Sequence, residues 1–140
     1  MKLVVCEDGN EYSERFRRFL GEEFEFVRAA NFGEALKAAA GARGLLLDLD
    51  FRRTDPSLLV DESGAPASRA AAEVQGILIL RALRSRGVKL PALLFADLDD
   101  RERAARLETE LAPLEILSSS EGLPRIADRL RKLPDEQRDR

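Results

Sequence analysis

Two short stretches carry acids to places where they can act together. Gly44-Leu45-Leu46-Leu47-Asp48-Leu49-Asp50 runs from small and apolar residues straight into two aspartates spaced two apart, and Lys2-Leu3-Val4-Val5-Cys6-Glu7-Asp8 ends its apolar run in a carboxylate pair. Neither run shows the polar alternation of a strand with one wet face, so each reads as a buried strand whose downstream end opens into charge. Two such ends predict one shared acidic pocket of Glu7, Asp8, Asp48 and Asp50. Without a cation, crowded carboxylates raise the affinity of at least one of them for a proton. The sequence has no histidine and a single cysteine, Cys6, which excludes a Ser-His-Asp triad, a phosphohistidine carrier and any zinc or iron–sulfur cluster built on imidazoles or thiolates. A metal in this pocket would have to be a hard one held by oxygen.

The elements that must position these acids follow from periodicity. After Glu7-Asp8, Asn10 is the expected cap of a helix in which Tyr12, Phe16, Phe19 and Leu20 share one face, and Gly21 ends it. Phe24 to Val27 reads as a second, less buried strand. Asn31 with Glu34 forms a capping-box variant that opens a second helix, carried to Gly41 by Leu36 and alanines. The third strand spans Gly44 to Leu49, and a third helix runs through Ile77 to about Arg86, stopped by Gly87. Pro91 to Ala96 reads as a fourth strand, Asp97 or Asp99 as the cap of a fourth helix with Ala104, Leu107 and Leu111 on one face, and Leu114 to Leu117 as a fifth strand. Leu123, Ile126, Ala127, Leu130 and Leu133 mark the last helix. Five strands alternating with five helices predict an α/β fold, a parallel sheet covered on both faces. In such sheets ligands bind beyond the carboxyl ends of the strands, where all four acids stand.

The chain has 140 residues, enough for one domain with a core that needs no staples. Its 23 basic and 26 acidic residues are interspersed and leave a net charge of −3, which does not suit a nucleic-acid surface. No apolar run approaches the ~20 residues needed to cross a bilayer. The amino terminus lacks a secretory pattern and no disulfide framework exists, so a reducing cytoplasm is the expected setting. Residues 1–134 are expected to form one domain with an insertion at about 51–75, and 135–140 a charged tail.

On these residues the chain resembles the bacterial response-regulator receiver domain, similar to the chemotaxis regulators. The acid pair Glu7-Asp8 ending the first strand, Asp48 ending the third in Leu-Leu-Leu-Asp-Leu-Asp, and Gly76-Ile-Leu-Ile-Leu-Arg-Ala-Leu-Arg84 carry the resemblance, which covers nearly the whole chain. It implies a flavodoxin-like (βα)5 fold with strand order 2-1-3-4-5. It also implies phosphoryl acceptance on Asp48, with Mg²⁺ bound by the carboxylates of Asp8 and Asp48 and the main-chain carbonyl of Asp50, and Glu7 acting through bound water. The implied partners are a sensor histidine kinase or phosphotransfer protein and a downstream protein, with homodimerisation left open. The implied output is protein contact through the face of the fourth helix, fifth strand and fifth helix, by a stand-alone domain that is not an enzyme.

Three departures stand out. Where the family has Ser or Thr after strand four and Lys after strand five, this chain has Ala96 and Ser118, and the segment from Phe51 to Gln75 is longer than the family's loop. A phosphorylation-independent pseudo-receiver is therefore the alternative reading, and a small Mg²⁺-dependent phosphohydrolase using Asp48 as nucleophile and Asp50 as acid is a third. Arg52 and Arg53 are read as solvated loop residues, against the alternative that one supplies the missing cation. Ser118 to Ser120 are read as a helix cap and loop rather than a phosphate cradle. Leu58, Leu59 and Val60 are expected to pack on their own domain, and Cys6 to fill the core.

Overall fold

A computed structural model describes residues 1–133; the tail expected at 135–140 lies outside the described residues. The strands are β1 (Lys2–Cys6), β2 (Glu25–Ala29), β3 (Gly44–Asp48), β4 (Ala92–Phe95) and β5 (Leu114–Leu117). The helices are α1 (Glu11–Leu20), α2 (Phe32–Ala39), α3 (Gln75–Ser85), α4 (Arg101–Glu110) and α5 (Leu123–Arg131). All strand pairs are parallel and the order is β2-β1-β3-β4-β5, as expected. Strand and helix ends differ from the sequence reading by one or two residues, the usual uncertainty of a boundary.

Alternation along the strands divides the core into two layers. Val4, Cys6, Leu45, Leu47 and Leu94 pack with Ala35, Ile77, Ile79, Leu80 and Leu107, from α2, α3 and α4. Leu3, Val5, Leu46, Leu93 and Phe95 pack on the other face with Phe16 of α1 and Ile126 and Leu130 of α5. Cys6 is fully buried, and burial pushes its thiol up to about 12, which fits a core-filling role. Phe19, expected on the buried face of α1, is instead 59% exposed, with the Arg18 guanidinium over its ring. At 100° per residue, Ser13, Phe16 and Leu20 cluster on one side and Phe19 stands about 90° from their centre. That stripe is too narrow to include it.

The long segment between β3 and α3 is a folded flap. It contains 3-10 turns at Pro56–Leu58 and Arg69–Val74 and an antiparallel bridge between Val60 and Pro66. Phe51, Leu59, Val60 and Ala72 are buried in the α2–α3–α4 layer, whereas Leu58 is exposed. Buried Gln75, the first residue of α3, donates from Nε2 to the Val60 carbonyl at 2.9 Å and accepts from the Val60 N–H at 2.9 Å, as a paired strand would. At the tip Asp61 Oδ1 accepts from the N–H groups of Ser63 and Ala65, and Arg86 donates to the Ser63 carbonyl at 2.9 Å. The segment is long because it adds core of its own.

Candidate functional site

Parallel register brings the predicted residues to one end of the sheet. Cys6 pairs with Leu47, Asp48 with Phe95, and Phe95 with Leu117. Glu7 and Asp48 therefore end adjacent strands at one level, and Ala96 and Ser118 follow one step beyond it. Helix α3 starts hard against this end. A Cβ on Gly76 would collide with the Asp48 carbonyl oxygen, and the Gly76 N–H donates to Leu49 O at 3.0 Å.

Each acid has a distinct environment. Glu7 is 1% exposed, and its two oxygens accept from the N–H groups of Tyr12 (3.0 Å) and Ser13 (2.7 Å). Asn10 stands at the N-cap of α1 as expected, but its side chain donates to Glu14, and Glu7 takes over the capping bonds to the first-turn amides. The Asp8 side chain is 5% exposed; Oδ2 accepts from the Arg53 N–H at 2.8 Å and Oδ1 from Arg53 Nη2 at 3.3 Å. The same guanidinium reaches Glu11 Oε1 at 3.0 Å and lowers that carboxyl to about 2. Arg28 of β2 braces the loop from below, donating to the carbonyls of Asp8 (2.7 Å) and Gly9. Asp50 is held by Arg52, through its N–H at 2.9 Å and Nε at 2.7 Å. Although both loop arginines are largely exposed, as solvated residues would be, each is paired with an acid of the site.

Asp48 differs from the other three. It is half-buried and accepts from its neighbour's backbone, the Leu49 N–H, at 2.9 Å. Burial, and then the charges of Asp8, Glu7 and Asp50, push its carboxyl up from 3.8 to about 6. Donor type suits a hard divalent cation, since every group is an oxygen and the neighbouring negative charges already raise Asp48's hold on a proton. As arranged, however, no three acids among the described residues stand ready to share an ion. The arginines and the α1 amides hold the other carboxylates.

Beyond Asp48 the loops after β4 and β5 are fastened to each other. Ala96 is buried and donates its N–H to Leu117 O at 2.9 Å. Asp97 Oδ1 accepts from Ser118 Oγ (2.9 Å) and the Ser119 N–H (3.1 Å), and Ser119 Oγ donates to Oδ2. These donors hold the Asp97 carboxyl below its ordinary range. Two expectations are corrected here. The serines bind Asp97 while Gly122 occupies the N-cap of α5, and Asp100, not Asp97 or Asp99, caps α4 by accepting from Glu102 and Arg103.

Tyr12 joins the two halves of the site and was read from sequence only as part of a helix face. Its ring stacks on Phe95 at 4.9 Å and 16°, and burial with the charges of Asp48, Asp97 and Glu7 pushes its phenol up to about 12. Arg28 was also missed. The available signal was an arginine directly after the apolar Phe26-Val27 of the edge strand, toward the strand's carboxyl end.

No family model and no curated protein matches the sequence. Solved structures do match. The receiver domain of the Francisella response regulator 1452 is 16% identical, with 99% of this chain and 98% of that chain covered and a TM-score of 0.70. The BeF3-activated N-terminal receiver domain of Klebsiella pneumoniae RstA is 19% identical over 95% of this chain and 97% of that one, with a TM-score of 0.67. Vibrio cholerae chemotaxis protein CheY4 is 14% identical over 95% and 98%, also at 0.67. At these identities the likeness is one of fold. Over nearly its whole length, this chain has the fold of the response-regulator receiver domain.

Proposed function

We propose that the chain is a receiver-type signalling domain in which Asp48 accepts a phosphoryl group. The observation that carries this is the contrast among the four acids: three carboxylates are held by arginines or helix amides, while Asp48, half-buried at the end of a central strand, is held by a single neighbouring amide. In the proposed step a carboxylate oxygen of Asp48 bonds to phosphorus as the N–P bond of a phosphohistidine on a sensor histidine kinase or phosphotransfer protein breaks. The imidazole nitrogen keeps the bonding pair, and Asp48 becomes an acyl phosphate. Mg²⁺, held by the carboxylates of Asp8 and Asp48 and the Asp50 carbonyl with Glu7 assisting through water, would cancel the charge between two anions. Output would pass through protein contact at the α4–β5–α5 face, in a cytoplasmic setting and without turnover of a substrate.

A specific observation favours a second reading. Where the family's hydroxyl and lysine would respond to the phosphoryl group, Ala96 offers no side-chain donor and the Ser118 hydroxyl is bound to Asp97. A pseudo-receiver with a fixed output face follows if Asp48 stays unmodified. Intact mass after incubation with Mg²⁺ and a small acyl phosphate decides between the two. A phosphoryl adduct on the wild type that is absent from Asp48→Asn supports the phosphoacceptor; no adduct on folded wild type supports the pseudo-receiver.

A further inference from the structure

We propose that Arg53 is the resident counter-cation of the acidic pocket, and that a divalent cation reaches the Asp8 carboxylate only by displacing its guanidinium. The inference rests on reading Asp8 and Asp48 as a cation pocket, and adds that the chain carries its own competitor for it.

Four observations converge. Arg53 engages both oxygens of Asp8, one through its backbone N–H and one through Nη2, so a metal and this arginine cannot hold the same carboxylate in the same way. The partners differ in burial: the Asp8 side chain is 5% exposed and its charge needs a partner, whereas the Arg53 side chain is 62% exposed and can move into water at little cost. Gly9 leaves the guanidinium its berth, because a Cβ there would collide with Arg53 Nη2 and Glu11 Oε1. Arg28 pins the carbonyls of Asp8 and Gly9, which leaves Arg53 as the movable member of the pair.

Displacement also has a consequence outside the pocket. Arg53 lies at the start of the flap between β3 and α3, and its two bonds to Asp8 tie that start to the end of β1. Displacing the guanidinium breaks the Nη2 bond and leaves the backbone N–H bond, so metal loading slackens one root of the flap while Gln75 holds the other.

Calorimetric titration with Mg²⁺ tests this on the full chain, with circular dichroism confirming the fold of each variant. Arg53→Ala is expected to bind Mg²⁺ about 5- to 10-fold more tightly than wild type, because a competing charge-assisted contact is gone. Arg53→Lys, which keeps the charge but not the fork, falls between them, and Arg52→Ala changes affinity less than about twofold because the side chain of its partner Asp50 is 37% exposed, against 5% for Asp8. Equal affinity in wild type and Arg53→Ala overturns the competition and leaves the cation pocket standing. An equal gain in Arg52→Ala and Arg53→Ala also overturns it, by reducing the effect to net charge. No binding in any folded variant removes the pocket, and this inference with it.

Discussion

The backbone N–H of Ser13 donates a 2.7 Å hydrogen bond to Oε2 of Glu7, while the N–H of Tyr12 bonds to the other oxygen. The first acid of the β1 pair is therefore a helix cap as well as a member of the pocket. A carboxylate at a helix N-terminus satisfies two orphan amides and complements the helix dipole. Glu7→Ala is expected to lower unfolding free energy by about 1–3 kcal/mol in urea denaturation, with Glu7→Gln losing roughly half as much because one acceptor survives. Equal stability of Glu7→Ala and wild type would show that the capping bonds contribute nothing net.

Asp48 links stability to pH. Its folded-state carboxyl lies near 6, raised from 3.8 by burial first and then by Asp8, Glu7 and Asp50. Between those values the folded protein binds more protons than the unfolded chain, so this residue lowers stability progressively as pH rises from about 4 through about 6. The penalty is absent below 4 and fully present above 6. The whole shift corresponds to about 3 kcal/mol, which solvent screening at a half-buried site reduces to about 1–2 kcal/mol. Without added divalent cations, Asp48→Asn should be more stable than wild type by that amount at pH 7.5 and similar at pH 4. A difference that does not change between the two pH values would count against this linkage.

Gln75 and Val60 hold the flap through reciprocal 2.9 Å bonds in a buried setting. Removing the side-chain amide strands a buried N–H and a buried carbonyl, each costing about 1–3 kcal/mol when unsatisfied. Gln75→Leu, close in volume, should destabilise by about 2–4 kcal/mol and raise hydrogen exchange selectively at Val60 and neighbouring flap amides. Unchanged exchange at Val60 would mean that the flap is held by its apolar residues alone.

The parts of the fold legible in the sequence are those where one property decides. Gly44 to Asp48 is apolar without alternation and ends in charge, and such a run inside a βα repeat has little choice but a central parallel strand. Register then puts Glu7 beside Asp48 with no further information. What escaped reading depends on competition between similar groups. Asn10 holds the N-cap position of α1 as read, but the side-chain oxygens that accept its first amides come from Glu7, whose longer side chain reaches them from just beyond β1. Asp97, Asp99 and Asp100 are equally good caps by type, so the position of the fourth helix and the freedom of Asp97 to bind the serines could not be separated. Pairing between Arg53 and Asp8 spans 45 positions and depends on a flap whose path follows from Phe51, Leu59 and Val60 settling into one layer of the core. No local pattern encodes that.

Gly76 makes the last link, between the start of α3 and Asp48, the proposed phosphoacceptor. A Cβ at this residue would collide with the carbonyl oxygen of Asp48, a main-chain atom fixed by the central sheet. Neither partner can yield by rotating a side chain, so either α3 backs away from β3 or the end of β3 bends. Gly76→Ala should therefore destabilise by about 2–4 kcal/mol, well beyond the helix-propensity gain of up to ~1 kcal/mol that alanine brings. Because the displaced atom belongs to Asp48, phosphoryl adduct formation in the mass assay should fall as well, even at temperatures where the variant remains folded. A neutral or stabilising Gly76→Ala would show that α3 has room at its start, and that the glycine is not what sets the approach of α3 to Asp48.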